Sequence, residues 1–336
     1  MTDLARNQPI TEDDQNDHSG QLTRAYEPDA LGTLLIDESG ALPVNIISTE
    51  EMQSPAYSPL SVRQAETPIP TPVVASCPHA GRDYPAELVD AASLPVAHMR
   101  GLEDFAVDQL LGGLSQHGIA TVINHIARAY IDVNRPAGAL DNAMFDTPVD
   151  ADKPSRHVSA GYGLIPRLSA MRKPLYSASL PSEEAKRRIN VAHLPYHSML
   201  MAQISAAKAE HGHCLLVDFH SMPPRDRTNR KLADVVLGDC LGSTLDTGLA
   251  NSIGDFFRDA GLSIAWNEPY AGGHITRTHG RLGTNKQSVQ IEINRDIYMQ
   301  DAALSAREPF VNVANAQELH SVIERFGAYL VEMRSN

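Results

Sequence analysis

Short apolar runs alternate along the chain with longer segments of helical periodicity. Six runs predict strands, at residues 73–77, 120–123, 129–133, 214–219, 233–238 and 289–293. Apolar residues spaced about 3.6 positions apart predict helices at 104–116, 182–210, 249–260 and 316–333, the second bent near Pro195. Strands that alternate with helices indicate an α/β fold in which polar residues collect at strand ends.

The composition changes near residue 72. Residues 1–71 are polar and acidic, with Ser and Pro, and only the stretch 32–47 has short apolar runs, which predicts an N-terminal extension outside the catalytic core. Residues 72–336 predict a single α/β domain. Within it, the irregular stretch 137–179 contains Gly and Pro and predicts an insertion over one face of the sheet.

The charge balance limits the classes of partner. A formal net charge of -13 argues against nucleic acid and against an anionic membrane, because both require an excess of Lys and Arg. Three widely spaced cysteines form no CxxC pair, and no run approaches the roughly 20 apolar residues that span a bilayer. We therefore expect a cytoplasmic protein whose small anionic substrate enters a local basic pocket.

Side chains suited to metal binding and proton transfer follow several predicted strands. His79 and His220 lie next to turn residues or at a strand end, and Glu103 and Asp104 precede a helix. Two histidines and one carboxylate would meet the needs of a catalytic zinc, but a lone histidine beside proline and glycine is more often a loop hydrogen-bonder. Glu292 alternates out of an apolar strand, so it is either exposed on an edge strand or buried and compensated by a cation or proton.

Two arginines occur in turn-like segments. Arg135 lies in Asp132-Val-Asn-Arg-Pro136 and Arg277 in Gly272-Gly-His-Ile-Thr-Arg277. A guanidinium can bind a carboxylate through two parallel hydrogen bonds, so two such groups would suit a dicarboxylate substrate. Structural salt bridges to the many acidic residues are the alternative.

Seven segments, in order between about residues 72 and 300, resemble the N-formylglutamate amidohydrolase family, whose members look like distant relatives of the zinc carboxypeptidases. These segments are Cys77-Pro-His-Ala-Gly-Arg82 with Tyr84-Pro85, Glu103-Asp-Phe105, Ala127-Arg-Ala-Tyr-Ile-Asp-Val-Asn-Arg-Pro136, Pro195-Tyr-His197, Asp218-Phe-His-Ser-Met-Pro223, Gly272-Gly-His-Ile-Thr-Arg277 and Val289-Gln-Ile-Glu-Ile-Asn-Arg295. The resemblance implies a three-layer α/β/α sandwich around a mixed β-sheet. It also implies an amidohydrolase of histidine degradation that cleaves N-formyl-L-glutamate to formate and L-glutamate.

The resemblance implies a role for individual residues. One Zn²⁺ would be held by His79, Asp104 and His220, with Glu103 as the alternative carboxylate, and Glu292 would activate water and then protonate the departing amine. The residues implied for substrate binding are Asn134, Arg135, His274 and Arg277. Two alternatives remain open at this point: hydrolysis of another N-acyl amino acid or short peptide, and a non-catalytic relative that binds a metabolite.

Overall fold

The computed structural model describes residue 36 and residues 38–64, 70–300 and 309–335. Nine strands lie within these ranges: β1 (Asn45–Ile47), β2 (Leu60–Arg63), β3 (Val73–Cys77), β4 (Asp83–Pro85), β5 (Ala120–Asn124), β6 (Cys214–Met222), β7 (Val235–Gly238), β8 (Ile264–Trp266) and β9 (Lys286–Asn294). The α-helices of the same ranges are α1 (Thr49–Gln53), α2 (Ala86–Ala91), α3 (Val96–Met99), α4 (Val107–Leu110), α5 (Arg156–Ser159), α6 (Glu183–Arg188), α7 (Leu194–His211), α8 (Thr247–Asp259), α9 (His274–His279) and α10 (Val313–Ser335).

Seven strands form one mixed sheet in the order β2-β5-β3-β6-β9-β7-β8. The four central strands β5, β3, β6 and β9 are parallel, whereas β2 pairs antiparallel with β5 and β7 pairs antiparallel with β9. Strands β6 and β9 are paired over nine residues, from Cys214 with Lys286 to Met222 with Asn294. These two long central strands form the platform on which the polar residues are arranged.

Helices cover both faces of this sheet. On one face, alternate residues of β3, β6 and β9 pack against α4, α8 and α10. On the other face, the intervening residues of β3 and β6 pack against α7 and against Ile275 of α9. A fully buried Val, Leu, Ile or Phe contributes about 1.5–3 kcal/mol, so each face stabilises the sheet strongly. The predicted three-layer α/β/α architecture is therefore confirmed.

A second hydrophobic core lies beside the sheet. Leu140, Met144, Leu164 and Leu175 of the predicted insertion 137–179 pack with residues near α2, and two-stranded pairing of β1 with β4 adds to this region. This core anchors the loop between Ala127 and Pro136, which includes the strand predicted at 129–133.

The prediction of a strand at 129–133 was wrong, because these residues form a loop. The amide of Tyr130 donates to the Ala127 carbonyl within a turn, and the amide of Asp132 donates to Leu164 in the insertion. Tyr130 and Ile131 are buried in the second core rather than in the sheet. An apolar run indicates burial, but burial in a loop gives the same pattern as burial in a strand.

Other boundaries also differ from the predictions, three of them near the candidate site. The helix predicted at 104–116 is reduced to α4 followed by a 3₁₀ segment, Gly112–His117, since two glycines weaken an α-helix at that point. The helix predicted at 182–210 is divided into α6, a π-helical turn at Ile189–His193, and α7. Strand β6 continues past the predicted end at 219, so His220 lies within it.

Part of the predicted extension 1–71 contributes to the sheet, because β2 forms its edge beside β5. Residues 1–35, 37 and 65–69 of that extension lie outside the described residues. No helix in the described ranges is both long enough and apolar enough to cross a membrane.

Candidate metal centre

The polar residues of the two long central strands share one face of the sheet. Because side chains alternate along a strand, Val217 and Phe219 of β6 point toward α4, α8 and α10, and Asp218 and His220 point to the opposite face. In the paired strand β9, Glu292 is the direct neighbour of His220. The register thus places a histidine and a carboxylate side by side on the α7 and α9 face.

Two loops complete this group. His79 lies in the loop that follows β3, and its backbone carbonyl accepts a hydrogen bond of 2.9 Å from the amide of Asp104. This contact joins the His79 loop to the segment that precedes α4. Residues distant in the sequence, at 79, 104 and 220, are thereby brought together beneath the protein surface.

The carboxylate of Asp104 lies between the two imidazoles. Its Oδ2 is 2.9 Å from Nδ1 of His220 and 3.3 Å from Nδ1 of His79. The two rings are 4.8 Å apart between centroids, and one candidate ligand atom from each of the three residues lies within 4.8 Å of the others. All three side chains are only 2–3% exposed.

A second carboxylate orients each imidazole from behind. Nε2 of His79 lies 2.7 Å from Asp132 Oδ1, and Nε2 of His220 lies 3.1 Å from Asp218 Oδ2. A hydrogen bond donated by Nε2 fixes the tautomer whose Nδ1 lone pair points to the opposite side of the ring. Both histidines therefore direct Nδ1 toward the Asp104 carboxylate.

This arrangement fits a bound cation. Nδ1 of His79 is buried without a hydrogen-bond partner among the described residues, although a carboxylate oxygen lies 3.3 Å away. A nitrogen lone pair and a carboxylate oxygen that face each other in a buried site repel unless a positive charge lies between them. Two imidazole nitrogens and one carboxylate also form the donor set of a catalytic zinc site with a position left for water.

The charges of the metal-free site are consistent with that role. Burial alone would raise the pKa of Asp104, but the hydrogen bond with His220 and the nearby His79 imidazole hold the pKa well below the usual range. Burial alone would lower the pKa of His220, whereas Asp218 and Asp104 raise it well above its ordinary value. The negative charge of Asp104 is therefore favoured by the positive charge of His220, and a metal ion could supply that positive charge in place of a proton.

The structure separates the two neighbouring acids Glu103 and Asp104. The Glu103 carboxylate accepts hydrogen bonds from the Tyr84 hydroxyl at 2.6 Å and from Arg100 Nε at 3.1 Å. It is thus engaged away from the histidines, and only Asp104 belongs to the group with His79 and His220. Asp104 Oδ1 also lies 3.3 Å from Nη2 of Arg295.

Glu292 is buried beside this group and is not on an edge strand, since β9 lies between β6 and β7. Its Oε1 accepts a hydrogen bond of 2.8 Å from Gln290 Nε2. Burial raises the pKa of Glu292 to about 7, an effect that the positive charge of His220 opposes and the negative charge of Asp104 reinforces. A carboxyl group with a pKa near neutrality can both accept and return a proton.

The residues predicted to bind substrate are divided between two places. Asn134 Nδ2 lies 3.1 Å from Nε2 of His220, and Arg135 follows it with its guanidinium donating to the carbonyls of Tyr162 and Asn134. His274 is the first residue of α9 and belongs to a separate group with His193 and His197, and the Arg277 side chain is exposed one turn further along that helix.

Sequence reasoning missed Arg128, Asp132 and Asp218. Arg128 Nη2 is 2.9 Å from Asp132 Oδ2, and the charge of Arg128 acts on the pKa of Glu292. The i, i+4 spacing of Arg128 and Asp132 is the available signal, but the strand predicted at 129–133 places the two residues in an extended segment, where that spacing does not bring them together. For Asp218, the only signal in the sequence is its position two residues before His220, which places both side chains on the same face of a strand.

Buried histidines and carboxylates beside the long central strands of a mixed sheet form a candidate metal centre. The model of the N-formylglutamate amidohydrolase family matches residues 71–299. The chain is 30% identical over 260 residues to an N-formylglutamate deformylase of Pseudomonas aeruginosa, covering 76% of this chain and 90% of that protein. It is 32% identical over 253 residues to one of Pseudomonas putida, covering 71% and 84%.

A solved structure supports the same relationship. The crystal structure of an N-formylglutamate amidohydrolase from Ralstonia eutropha JMP134 superimposes with a TM-score of 0.72 at 30% identity, covering 81% of this chain and 98% of that one. The chain therefore belongs to the N-formylglutamate amidohydrolase family, which confirms the resemblance seen in the sequence.

Proposed function

We propose that this protein is a zinc-dependent amidohydrolase that cleaves N-formyl-L-glutamate to formate and L-glutamate. The observation that carries the proposal is the convergence of two Nδ1 atoms, from His79 and His220, on one oxygen of Asp104, with Glu292 buried next to them. The names of the two Pseudomonas relatives support the choice of substrate.

His79, Asp104 and His220 would hold the ion, and the donor set of two imidazoles and a carboxylate suits Zn²⁺. When bound at such a site, zinc lowers the pKa of water to about 7 and polarises a carbonyl group. Asp132 and Asp218 keep the two imidazoles in the tautomer that this role requires.

Glu292 is the group that moves the proton. In its ionised form it accepts a proton from the attacking water, and in its neutral form it donates that proton to the nitrogen of the departing glutamate. Its pKa near 7 places both forms within reach at neutral pH. The hydrogen bond from Gln290 keeps one oxygen of the carboxylate in place, which leaves the other for proton transfer.

Positive side chains near Glu292 would bind the anionic parts of the substrate. Arg128 is held by Asp132 at 2.9 Å with 23% of its side chain exposed, so the side chain is not fully enclosed by the protein. Asn134 and Arg135 are proposed to bind one substrate carboxylate, since Asn134 adjoins His220. Arg277 and His274 are proposed to bind the second carboxylate from α9.

The replacement Glu292→Gln tests the proton-transfer step, because it keeps the shape of the side chain and removes the acid–base group. We expect zinc content to be unchanged and turnover of N-formyl-L-glutamate to fall by at least roughly 10²–10⁴. Glu268→Gln, at an exposed glutamate with a 73% exposed side chain, is the matched control and should leave turnover unchanged. Near-normal turnover in Glu292→Gln would remove Glu292 from the mechanism.

The acyl group is tested by comparing N-formyl-, N-acetyl- and N-succinyl-L-glutamate. The chemistry is the same for all three, so kcat/KM reports how the pocket accommodates the acyl group. We expect the formyl compound to be preferred. A higher kcat/KM for the N-acetyl or N-succinyl compound would show that N-formyl-L-glutamate is not the preferred substrate. The proposed metal centre would not be contradicted by that result.

A further inference from the structure

A second group of histidines lies on the other side of the segment Val133–Arg135. We propose that His193, His197 and His274 form a second cation site, for a divalent ion of the first transition series. One candidate ligand atom from each of these residues lies within 4.8 Å of the others. The proposal rests on this geometry, does not depend on the hydrolase reaction, and makes His274 a metal ligand in place of the substrate contact proposed for it above.

The local structure of the helices brings these residues together. His193 ends the π-helical turn Ile189–His193, and His197 follows four residues later in α7, so both imidazoles project from the same helix face. Histidines at positions i and i+4 of a helix are a common pair of metal ligands. His274 is the first residue of α9 and faces them across a short gap, with its ring centroid 5.4 Å from that of His197.

Backbone carbonyls orient two of these imidazoles as they do at metal sites. Nε2 of His193 donates to the carbonyl of Arg135 at 2.8 Å, and Nε2 of His197 donates to the carbonyl of Val133 at 2.9 Å. Each hydrogen bond leaves the Nδ1 lone pair for a ligand. Nδ1 of His193 is buried and has no hydrogen-bond partner within the described part of the chain.

The protonation states also favour metal binding. Burial lowers the pKa of His193, lowers that of His197 to about 3 and lowers that of His274 to about 4. The three imidazoles are therefore neutral at pH 7 and can donate lone pairs. Neutral imidazoles without a carboxylate select ions such as Zn²⁺, Co²⁺ and Ni²⁺ over Ca²⁺ and Mg²⁺, which prefer oxygen ligands.

His279 lies beside this group, and a bound ion would either break its contact with His197 or take it as a further ligand. Its Nε2 lies 3.2 Å from Nδ1 of His197, and the two rings are stacked with centroids 5.5 Å apart. In the metal-free protein Nε2 of His279 donates a hydrogen bond to Nδ1 of His197. An ion bound at Nδ1 of His197 replaces that hydrogen bond, after which His279 is free to become a fourth ligand.

The two groups of ligands contact opposite sides of Val133–Arg135. Asn134 lies 3.1 Å from His220 of the first group, and its Oδ1 accepts a hydrogen bond of 2.8 Å from the amide of Ile275, next to His274. The carbonyls of Val133 and Arg135 hold His197 and His193. An ion in the second site would therefore fix the position of Asn134 and Arg135 from behind.

The stoichiometry of metal binding tests the second site. Untagged protein is stripped of metal with a chelator, dialysed against Co²⁺, and analysed for bound cobalt by mass spectrometry and visible absorption. We expect two equivalents per chain in the parent protein. His79→Ala and His274→Ala should each retain one equivalent, and the double variant should retain none.

His98→Ala is the control, because His98 lies in α3 outside both groups and is likewise partly buried. It should bind two equivalents. A parent protein that binds one equivalent, lost in His79→Ala, would overturn the second site. So would two equivalents that survive in both His274→Ala and His193→Ala. The parent and His79→Ala measurements distinguish one site from two without the His274→Ala variant. The proposal therefore remains testable even if His274→Ala does not fold.

Discussion

The replacement Asp132→Asn tests whether the carboxylate behind His79 supports metal binding. Asp132 Oδ1 is 2.7 Å from Nε2 of His79, and Oδ2 is 2.9 Å from Arg128 Nη2 and 3.8 Å from Arg135 Nε. Asparagine keeps the shape of the side chain, and its oxygen can still accept the hydrogen bond from Nε2 of His79. Its amide nitrogen then faces the guanidinium groups of Arg128 and Arg135, which lose the negative charge that balances them.

The expected size of the effect follows from these contacts. Loss of a residue that orients a metal-binding imidazole typically weakens metal affinity about 10–100-fold, which corresponds to about 1.4–2.8 kcal/mol. Asp132 also balances two arginines in a site where its own side chain is 2% exposed. We therefore expect the loss of Zn²⁺ affinity in Asp132→Asn to lie near the upper end of that range, at about 100-fold.

Competition with a chromogenic chelator measures the Zn²⁺ affinity directly. Asp141→Asn is the matched control, because it removes a carboxylate that pairs with Arg167 at 3.1 Å in the insertion, outside both histidine groups. The control should bind Zn²⁺ like the parent protein. An affinity of Asp132→Asn within about twofold of the parent, with an unchanged circular dichroism spectrum, would refute the role given to Asp132.

Two further predictions concern stability and substrate binding. Burial alone would raise the pKa of Asp108, but the Arg82 guanidinium, 2.8 Å away, lowers it to about 2. Since the pKa is lower in the folded state, this ionisation contributes on the order of 2 kcal/mol above about pH 4, lost as the pH falls toward 2. Urea unfolding should show Asp108→Asn to be less stable than the parent at pH 6, by a margin that shrinks toward pH 2; a constant margin would contradict this. A Cβ at Gly273 would lie 2.4–2.7 Å from side-chain atoms of Asn134, so Gly273→Ala should raise KM for N-formyl-L-glutamate, unlike Gly248→Ala in α8, and an unchanged KM would show that Asn134 does not position substrate.

The sequence was sufficient to predict the sheet layers, because β3, β6 and β9 carry apolar runs long enough to be recognised. It was less informative where burial occurs outside the sheet. Residues 129–133 have an apolar pattern, yet Tyr130 and Ile131 pack into the second core from a loop. Strand β2 is short and lies in a polar region, so its place at the sheet edge depends on pairing with β5.

The candidate site shows the same division. His79, His220 and Glu292 were suggested by their positions beside strands, whereas adjacent acids such as Glu103 and Asp104 cannot be distinguished by spacing. The structure distinguishes them through their partners, since Tyr84 and Arg100 occupy the Glu103 carboxylate. The meeting of residues 193, 197 and 274 depends on how α7 and α9 pack, which no local pattern encodes.

The dependence of formate release on Zn²⁺ tests the central claim most directly. Metal-free protein is titrated with Zn²⁺ while formate release from N-formyl-L-glutamate is measured, in parallel with His220→Ala. We expect no activity without metal, full recovery in the parent protein as Zn²⁺ is returned, and no recovery in His220→Ala. Full activity of the metal-free protein, or recovery in His220→Ala equal to that of the parent, would contradict the central claim.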